Sequence, residues 1–571
     1  MKNFNNYFFL LILLGLYSCG SIKFTNDYIT STSFKKATEP SLLERQNWYN
    51  LDISDDSIPG MSVDKAYNEL LKGLKADTVI VAVIDTGIDI YHEDLQGLIW
   101  VNRDEIPNNG KDDDNNGYVD DIHGWNYLED AYDETLEMTR LLRDGIKNNR
   151  KYNDAKSEIN ANINESNDNL TQYKGYVEGY KKSKKIISKY LTNDDFSSDD
   201  LKTIVDDSLS EDILNAKEFL TYFMSIDISL DYLIEGKNYF EEQSKYHYNV
   251  NFNGRKSDDN IYDINDINYG DYKVNNIKSA ESHGTHVSGI IAGLRNNSLG
   301  NNGINNHVKI MALRAVPNGD EYDKDIARAI IYAVDNGAKI INGSFGKYYS
   351  SNPEWVIDAI RYASQKDVLI VHASGNESKD LDKNNNDNYP NDQYFGNNEF
   401  SDTFINVGAS SINYDKNIIG SFSNYGKQNV DVFAPGVSIY SALPENKYEF
   451  QSGTSMAAPS TTGVASLIFS YFPNLSAKKV KEIIIESGIN IDFEIDGTEN
   501  DAKVSFKNLS KSGKIVNAYN ALILASRSKR KWLLQFKLTS LFANWPQAAS
   551  ISWPLDLRMV TIIFFFSNSS S

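Results

Sequence analysis

The sequence predicts an α/β fold with a mostly parallel central sheet and a long helical segment inserted into it. Short runs rich in β-branched residues recur along the chain, as expected for strands that are buried on both faces. Amphipathic helical patterns lie between most of these runs, and this alternation is typical of a parallel sheet with helices on both faces. One stretch breaks the alternation because it is polar, charged and helix-rich, which indicates an insertion.

The candidate elements follow one another in a regular order. Strands are predicted at Thr78–Ile84, Val308–Leu313, Ala338–Asn342, Asp367–Val371 and Thr403–Val407. Helices are predicted at Asp325–Asn336 and Pro353–Gln365, so each lies between two of the later strands. This order predicts that the strand–helix units cover residues 47–127 and 249–525, with the insertion at 128–248.

The insertion carries two apolar stripes at helical spacing. The first consists of Ile163, Leu170, Tyr173, Val177, Tyr180 and Ile187, and the second of Leu220, Phe223, Ile226, Leu230 and Leu233. Each series steps by three, four or seven residues and therefore marks one face of a helix. The stripes predict a helical hairpin or small bundle.

Length and charge limit the functions to consider. The chain has 571 residues, which suggests more than one unit, and its 41% hydrophobic content is sufficient for a packed core. Its formal net charge of −21 argues against nucleic acid as a main partner, because phosphate binding needs clustered Lys and Arg.

The single cysteine, Cys19, follows a short apolar run from Phe8 to Leu16, and Lys2 precedes the run. The run is too short for a membrane span, and Ser18 and Gly20 flank the cysteine as in a secretory cleavage site. This stretch resembles a bacterial lipoprotein signal, in which the cysteine becomes the acylated N-terminus. We therefore expect a signal peptide at 1–19, a flexible tether at 20–46, and an exported protein that is lipid-anchored to a bacterial membrane. An ordinary signal peptide with an incidental cysteine is the alternative.

The other end of the chain changes in composition. Residues 526–571 combine clustered Lys and Arg with Trp residues and a short apolar run, and they fit neither a globular domain nor a full membrane span. We expect an atypical tail and assign it no function.

Three separated motifs carry the chemistry. Asp85 ends the buried run Val83-Ile84-Asp85-Thr86-Gly87, and the carboxyl ends of strands are where sites assemble in open α/β sheets. His283 begins the motif His283–Gly289, and Ser455 lies in Gly453–Pro459; an apolar helix follows each motif. A serine at a helix N-terminus gains from the positive end of the helix dipole when negative charge develops on an attacked carbonyl. Taken singly, the three residues also fit a turn former, a buried helix cap and an N-cap.

The three motifs in this order resemble those of the subtilisin-like serine proteases, the subtilases, over roughly Trp48 to Ala525. The resemblance implies a three-layer fold and an Asp-His-Ser triad. In it, Ser455 is the nucleophile, His283 is the general base and Asp85 orients the imidazole.

The resemblance also extends to the groups around the nucleophile. Val371–Asn376 resembles the oxyanion-hole segment, which implies that the Asn376 side chain and the Ser455 N–H stabilise the oxyanion. Asn342–Gly346 resembles the segment that pairs with the substrate as an added strand. The implied substrate-binding residues are Ser344, Phe345, Gly346, Ala373, Ser374 and Gly375.

A cation site is expected in the acidic loop Asn109–Asp121. Its oxygen-bearing side chains alternate before a glycine turn, which is how calcium loops gather hard oxygen ligands. The candidate ligands are Asp112, Asp114, Asn116, Asp121 and the backbone carbonyl of Tyr118. The loop lacks the Glu at position twelve of an EF-hand, and a solvated acidic turn is the alternative.

We therefore expect a serine endopeptidase that acts on polypeptides, with structural Ca²⁺ and no organic cofactor. Two alternatives remain: a catalytically silent surface lipoprotein that only binds, and a transpeptidase or cyclase that uses the same acyl-enzyme. Fewer than about thirty residues separate Cys19 from Trp48, so we expect no folded propeptide there. The insertion is expected either to restrict access to the cleft or contact a protein partner, or merely to stabilise the fold.

Overall fold

A nine-stranded sheet lies at the centre of the protein in the computed structural model. The structure describes residues 22, 24–30, 38–205, 209–226, 228–383, 386–393, 398–496 and 503–528. Residues 24–525 form one unit, to which the description below refers. Cys19, the apolar run Phe8–Leu16 and residues 529–571 lie outside the described residues, so the signal, lipidation and most of the tail remain predictions.

The strands are named in chain order. They are β1 Val79–Asp85, β2 Gly124–Asn126, β3 Val308–Arg314, β4 Ile340–Gly343, β5 Leu369–Ala373, β6 Phe404–Ser410, β7 Val432–Pro435, β8 Ile439–Leu443, β9 Lys447–Gln451, β10 Ile489–Asn490, β11 Glu494–Asp496, β12 Lys503–Ser505 and β13 Lys514–Ile515. The large sheet has the order β10-β13-β7-β6-β5-β4-β1-β3-β2. Only β10 and β13 pair antiparallel within it, which confirms the prediction of a mostly parallel sheet.

The helices are α1 Leu42–Asn47, α2 Val63–Lys65, α3 Glu137–Arg143, α4 Tyr152–Leu191, α5 Ser198–Lys202, α6 Glu211–Ser225, α7 Leu230–Glu242, α8 His283–Ala292, α9 Asp323–Asp335, α10 Pro353–Gln365, α11 Thr454–Tyr471 and α12 Ala477–Ser487. Helices α9 and α10 share a hydrophobic core with Ala82 and Ile84 of β1. Val81 and Val83 point to the opposite face and are also fully buried, because α8 and α11 pack against β1. The sheet is therefore covered on both faces, in three layers.

Strand register brings several strand ends to one level. Ile84 of β1 pairs with Gly343 of β4, and Gly343 pairs with His372 of β5. The next residues, Asp85, Ser344 and Ala373, therefore leave the sheet side by side at its carboxyl edge. Because sites in open α/β sheets form at this edge, the register alone predicts where the chemistry lies.

The segment between β2 and α8 contains a long helical hairpin. Helix α4 has 40 residues and is about 60 Å long at 1.5 Å per residue, and α6 and α7 both pack along it. Their shared core includes Tyr180, Leu220 and Phe223. Ile226 was expected in the second stripe but is 48% exposed, because α6 ends at Ser225 and the chain turns there.

Among the helices of the described residues, none combines the length and the apolar character that crossing a membrane requires.

Candidate active site

Asp85 and His283 form a hydrogen bond at the carboxyl edge of the sheet. His283 Nδ1 lies 2.7 Å from Asp85 Oδ1, and the Asp85 side chain is 1% exposed while that of His283 is 33% exposed. Burial disfavours the charged imidazolium, but the attraction and hydrogen bond of Asp85 outweigh it, and the pKa of His283 is raised above 6.5. The acid therefore holds the imidazole in one orientation and stabilises its cation, while the outer face of the ring stays open to solvent.

Neighbouring backbone groups fix both members of this pair. The Thr86 N–H donates to Asp85 Oδ1 at 2.7 Å, and the Gly284 N–H donates to Thr86 Oγ1 at 2.9 Å. A Cβ on Gly284 would lie 2.6 Å from the Thr86 carbonyl oxygen, so only glycine lets α8 approach the end of β1 this closely. The position of His283 therefore depends on the small residue that follows it.

A buried ion pair supports the segment before His283. Glu281 Oε1 accepts from Arg314 Nε at 2.6 Å and from the Gly87 N–H at 2.8 Å, and both charged side chains are 1% exposed. Because Arg314 ends β3 beside Asp85, this pair ties the start of α8 to the edge of the sheet.

His286 lies one turn after His283 and makes structural contacts. It is fully buried, and its Nε2 lies 3.1 Å from the carbonyl oxygens of both Ile439 and Glu449. Burial lowers the pKa of His286 to about 3, so the ring stays neutral and acts as a donor that connects α8 to the β8–β9 hairpin.

Ser455 is the second residue of α11, and its side chain is half-buried. Within the described residues its hydroxyl donates to the Ser344 carbonyl oxygen at 3.1 Å rather than to His283. The Ser344 hydroxyl in turn donates to the Ser455 carbonyl oxygen at 2.9 Å. The structure therefore joins the nucleophile candidate to the end of β4. Hydrogen bonds between a nucleophile and its base often form only when substrate is bound.

Two N–H donors flank one space beside Ser455. A Cβ placed on Gly453 would lie 3.5 Å from the Ser455 backbone nitrogen and 3.6 Å from Asn376 Nδ2. The first N–H groups of a helix have no partner within the helix, so the Ser455 N–H is available to a ligand. The structure therefore brings the two predicted donors, the Ser455 N–H and the Asn376 amide, close to one another.

The structure also locates the six predicted substrate-binding residues. Ser344–Gly346 continues from β4 and Ala373–Gly375 from β5, so the two segments run side by side. The Phe345 ring packs edge-on against His372 at 5.8 Å, while Ser374 is fully buried and its carbonyl oxygen accepts from Asn388 Nδ2 at 2.8 Å.

Polar groups approach both glycines of these segments. A Cβ on Gly346 would lie 3.0 Å from Asn388 Oδ1, and one on Gly375 would lie 2.8 Å from the Tyr348 hydroxyl. Asn388 and Tyr348 therefore lie beside these two segments, and the sequence did not predict these contacts.

The acidic loop brings together a different carboxylate set from the predicted one. Glu105, Asp114 and Asp121 each offer an oxygen, and these atoms lie within 4.8 Å of one another. Burial raises the pKa of Asp121 to about 6 despite hydrogen bonds from Tyr332 and Asn116. Three converging carboxylates fit a hard cation such as Ca²⁺, which would relieve their mutual repulsion.

The remaining predicted ligands have other contacts. Asp112 accepts the N–H groups of Asn116 and Gly117 at 3.0 and 2.8 Å, so it shapes the turn. Asn116 Oδ1 accepts the Tyr118 N–H at 2.8 Å, which turns its Nδ2 rather than its oxygen toward Asp121. Glu105, which precedes the loop, was missed because no local pattern marks it; its Oε1 accepts the Asp113 N–H at 2.7 Å.

The chain matches known proteins over this site. A sequence model of the subtilase family, peptidase S8, matches residues 76–512. A thermophilic serine proteinase of Bacillus sp. (strain AK1) is 39% identical over 210 residues, which are 37% of this chain and 46% of the relative. A cell wall-associated protease of Bacillus subtilis (strain 168) is 36% identical over 227 residues, 39% of this chain and 23% of the relative.

A longer match is to subtilisin-like protease 1 of Plasmodium berghei (strain Anka), which is 30% identical over 434 residues, 70% of this chain and 66% of the relative. The chain spans less than half the length of the two Bacillus relatives. Since the family model covers most of the chain, including all three motifs and the strands that carry them, the protein belongs to the subtilase family.

Proposed function

We propose that the protein is a serine endopeptidase that hydrolyses peptide bonds through an acyl-enzyme on Ser455. The observation that carries the proposal is the buried Asp85–His283 hydrogen bond of 2.7 Å at the same sheet edge as Ser455. Family membership and relatives that are named as proteases support it.

The reaction begins when the Ser455 hydroxyl attacks the scissile carbonyl carbon. His283 takes the hydroxyl proton on Nε2 as the Oγ–C bond forms, and it then gives this proton to the leaving amine as the C–N bond breaks. Water repeats the sequence on the acyl-enzyme and releases the carboxylic acid product. Asp85 stays ionised throughout and stabilises the imidazolium.

The negative charge that develops on the substrate oxygen is stabilised by the donor pair beside Ser455. The closeness of the Ser455 nitrogen and Asn376 Nδ2 to one point beside Gly453 supports this assignment. Preorganised donors of this kind cost no reorganisation during the reaction.

Substrate binding is proposed to add a strand beside Ser344–Gly346. A substrate N–H that binds the Ser344 carbonyl oxygen competes with the Ser455 hydroxyl, which holds that oxygen at 3.1 Å. Substrate would thus help to release the nucleophile toward His283.

A structural Ca²⁺ site is part of the proposal. Glu105, Asp114 and Asp121 would hold the ion and so stabilise the loop before β2. The cation has no role in the chemical steps.

Export and lipid anchoring through Cys19 are proposed from the sequence alone. Replacing Cys19 by Ser should move the protein from the membrane fraction to the soluble fraction and prevent incorporation of a labelled fatty acid. Replacing Ser18 by Ala serves as the matched control.

The alternatives make different products from the same peptides. We propose incubating the purified protein and its Ser455→Ala variant with a peptide library, with and without added amine nucleophiles. Hydrolysed fragments from the parent alone support the endopeptidase. Ligated products would identify a transpeptidase, and unchanged peptides a silent binder.

A further inference from the structure

We propose that Glu137 is a positioning residue that acts through Lys347 to hold in place the edge segment, to which the substrate is proposed to bind. Glu137 lies in the root of the insertion, residues 136–158, where the inserted helices begin. The edge segment is Ser344–Gly346, and the following segment is Lys347–Ser351. The inference rests on the proposed function, because it assigns a role in peptide binding to residues outside the triad.

The edge segment ends where Lys347 begins to pair with another part of the chain. The Lys347 N–H donates to the Tyr389 carbonyl oxygen at 3.0 Å, and the Tyr389 N–H donates to the Lys347 carbonyl oxygen at 2.9 Å. Lys347 is therefore the first residue after the open edge whose backbone is fixed on that side. A shift at Lys347 would move Gly346 and its neighbours directly.

The Lys347 ammonium is held by buried acids. It lies 3.2 Å from Glu137 Oε2 and 3.0 Å from Asp323 Oδ1, and it donates to the Glu321 carbonyl oxygen at 2.7 Å. The side chains of Lys347 and Glu137 are 2% and 3% exposed. Such buried ions tolerate little displacement, because each would be left without a partner.

Glu137 connects this contact to the insertion. It is the first residue of α3, and Arg140 in the next turn binds Glu137 and also donates to the carbonyl oxygens of Asp320 and Glu321. The Leu136 N–H donates to the His247 carbonyl oxygen at 3.0 Å, so both ends of the inserted helices meet here. The buried Glu137–Arg140 pair and the Leu136–His247 contact thus join the start of the insertion to the residues around Lys347.

The root also contacts the residues after Lys347. Lys151 Nζ donates to the Tyr348 carbonyl oxygen at 2.8 Å, and Asn149 Nδ2 donates to that of Ser350 at 2.7 Å. The Tyr349 hydroxyl donates to Glu158 Oε2 at 2.9 Å. Each of these contacts comes from the first part of the insertion, before the distal helices α6 and α7.

The following segment also lies close to Ala373–Gly375, the second segment that is proposed to bind the substrate. The Tyr348 hydroxyl lies 2.8 Å from the position of a Cβ on Gly375. A displacement of the following segment would therefore change the distance between Ser344–Gly346 and Ala373–Gly375. The contacts predict that the root affects substrate binding more than the chemical step.

The test measures KM and kcat on a long peptide together with labelling by a small fluorophosphonate, which needs Ser455 but no strand pairing. In Glu137→Gln we expect KM to rise about tenfold, with kcat changed by less than about threefold and the labelling rate near that of the parent. Tyr349→Phe removes only one hydroxyl contact to the root, so it keeps the test informative if Glu137→Gln does not fold. It should raise KM in the same direction by a smaller factor.

Asp431→Asn is the matched control. Asp431 is a buried carboxylate that binds Lys511 at 3.2 Å and Lys481 at 3.6 Å, and it contacts neither the edge nor the following segment. It should leave KM unchanged even where it lowers stability. A KM that is unchanged in both folded root variants, or a loss confined to kcat and labelling, would overturn the inference. If the parent itself is not labelled, the proposed function fails, and the inference fails with it.

Discussion

The side-chain oxygen of Asn376 accepts two hydrogen bonds from Thr454, one from the backbone N–H at 2.8 Å and one from the hydroxyl at 2.9 Å. A backbone N–H can only donate, so these contacts fix which end of the amide is oxygen. Nδ2 is therefore the end that faces the space beside the Ser455 N–H. The helix that carries Ser455 therefore also orients the amide of Asn376, the proposed second oxyanion donor.

Replacing Asn376 by Ala should lower kcat by about 10²–10³ and leave KM nearly unchanged, because the lost bond is made mainly in the transition state. Asn376→Ala also removes the two hydrogen bonds that the buried Thr454 donates, so a modest fall in the thermal unfolding temperature should accompany the loss in kcat. Steady-state kinetics on one peptide measures both constants. Thr454→Val removes a hydroxyl that donates to Asn376 and accepts the Gly375 N–H, but it keeps the backbone N–H that orients the amide, so it should cost less kcat than Asn376→Ala. A kcat of Asn376→Ala equal to that of the parent would show that the Asn376 amide does not stabilise the oxyanion.

The raised pKa of His283 predicts where kcat/KM falls on the acid side of its pH profile. The base must be neutral, so kcat/KM should fall as pH falls through a value above 6.5, the ordinary pKa of histidine. Asp85→Asn should move this fall in kcat/KM to lower pH and lower kcat by about 10⁴-fold. An unshifted fall in Asp85→Asn would exclude the Asp85–His283 pair as its cause.

The same pair makes a pH-dependent contribution to stability. A raised folded-state pKa stabilises the protein below the unfolded pKa of about 6.5, and this contribution is lost as pH rises through the folded value. Asp85→Asn should therefore cost more unfolding free energy at pH 5 than at pH 9, as measured by denaturant titration. The opposite order would contradict the assigned sign.

Calcium should stabilise the protein through the Glu105–Asp114–Asp121 group. At a concentration 100 times Kd, the gain in unfolding free energy is about 2.7 kcal/mol, seen as a higher unfolding temperature. Glu105→Gln should abolish most of this gain, and it should also lower stability without calcium because Glu105 accepts backbone N–H groups too. Asp112→Asn should lower stability with and without calcium alike, since Asp112 binds backbone N–H groups. The reverse pattern would favour the ligand set predicted from the sequence.

Deleting the distal part of the insertion tests the role of helices α6 and α7 independently of the root. Ser166 Oγ lies 2.7 Å from Gln243 Oε1, and Ser244 Oγ lies 2.7 Å from Asn167 Oδ1. The two helical arms of the hairpin can therefore be joined there. A variant that lacks 168–241 and carries a short glycine linker keeps Glu137, Lys151 and Glu158. If the distal helices restrict access, this variant should digest a folded protein faster while its KM for a peptide stays unchanged. Equal rates on the folded protein would leave these helices a stabilising role only.

Local patterns predicted much of the fold. The runs around Ile84, Ile310 and Ile370 became β1, β3 and β5 because continuous β-branched segments suit a sheet buried on both faces. The resemblance to the subtilases implied that Asp85 and His283 meet, and in the structure they form a hydrogen bond. Ile226 departed from its stripe because helical spacing alone does not reveal where a helix ends.

Contacts between distant residues were not predictable in the same way. Glu105 joins the acidic loop through backbone N–H groups, and neither its spacing nor its neighbours mark it as a ligand. Lys347 and Glu137 lie far apart in sequence, and only the folded chain shows that they share a buried site. The orientation of Asn376 likewise depends on Thr454, which belongs to another motif.

The proposed function requires Ser455 to be an activated nucleophile. The most direct measurement is mass spectrometry of the intact protein after treatment with a fluorophosphonate, in which the serine oxygen bonds to phosphorus and fluoride leaves. We expect one adduct, mapped to Ser455 and absent from Ser455→Ala. No adduct on the parent protein, or an adduct on a different residue, would contradict it.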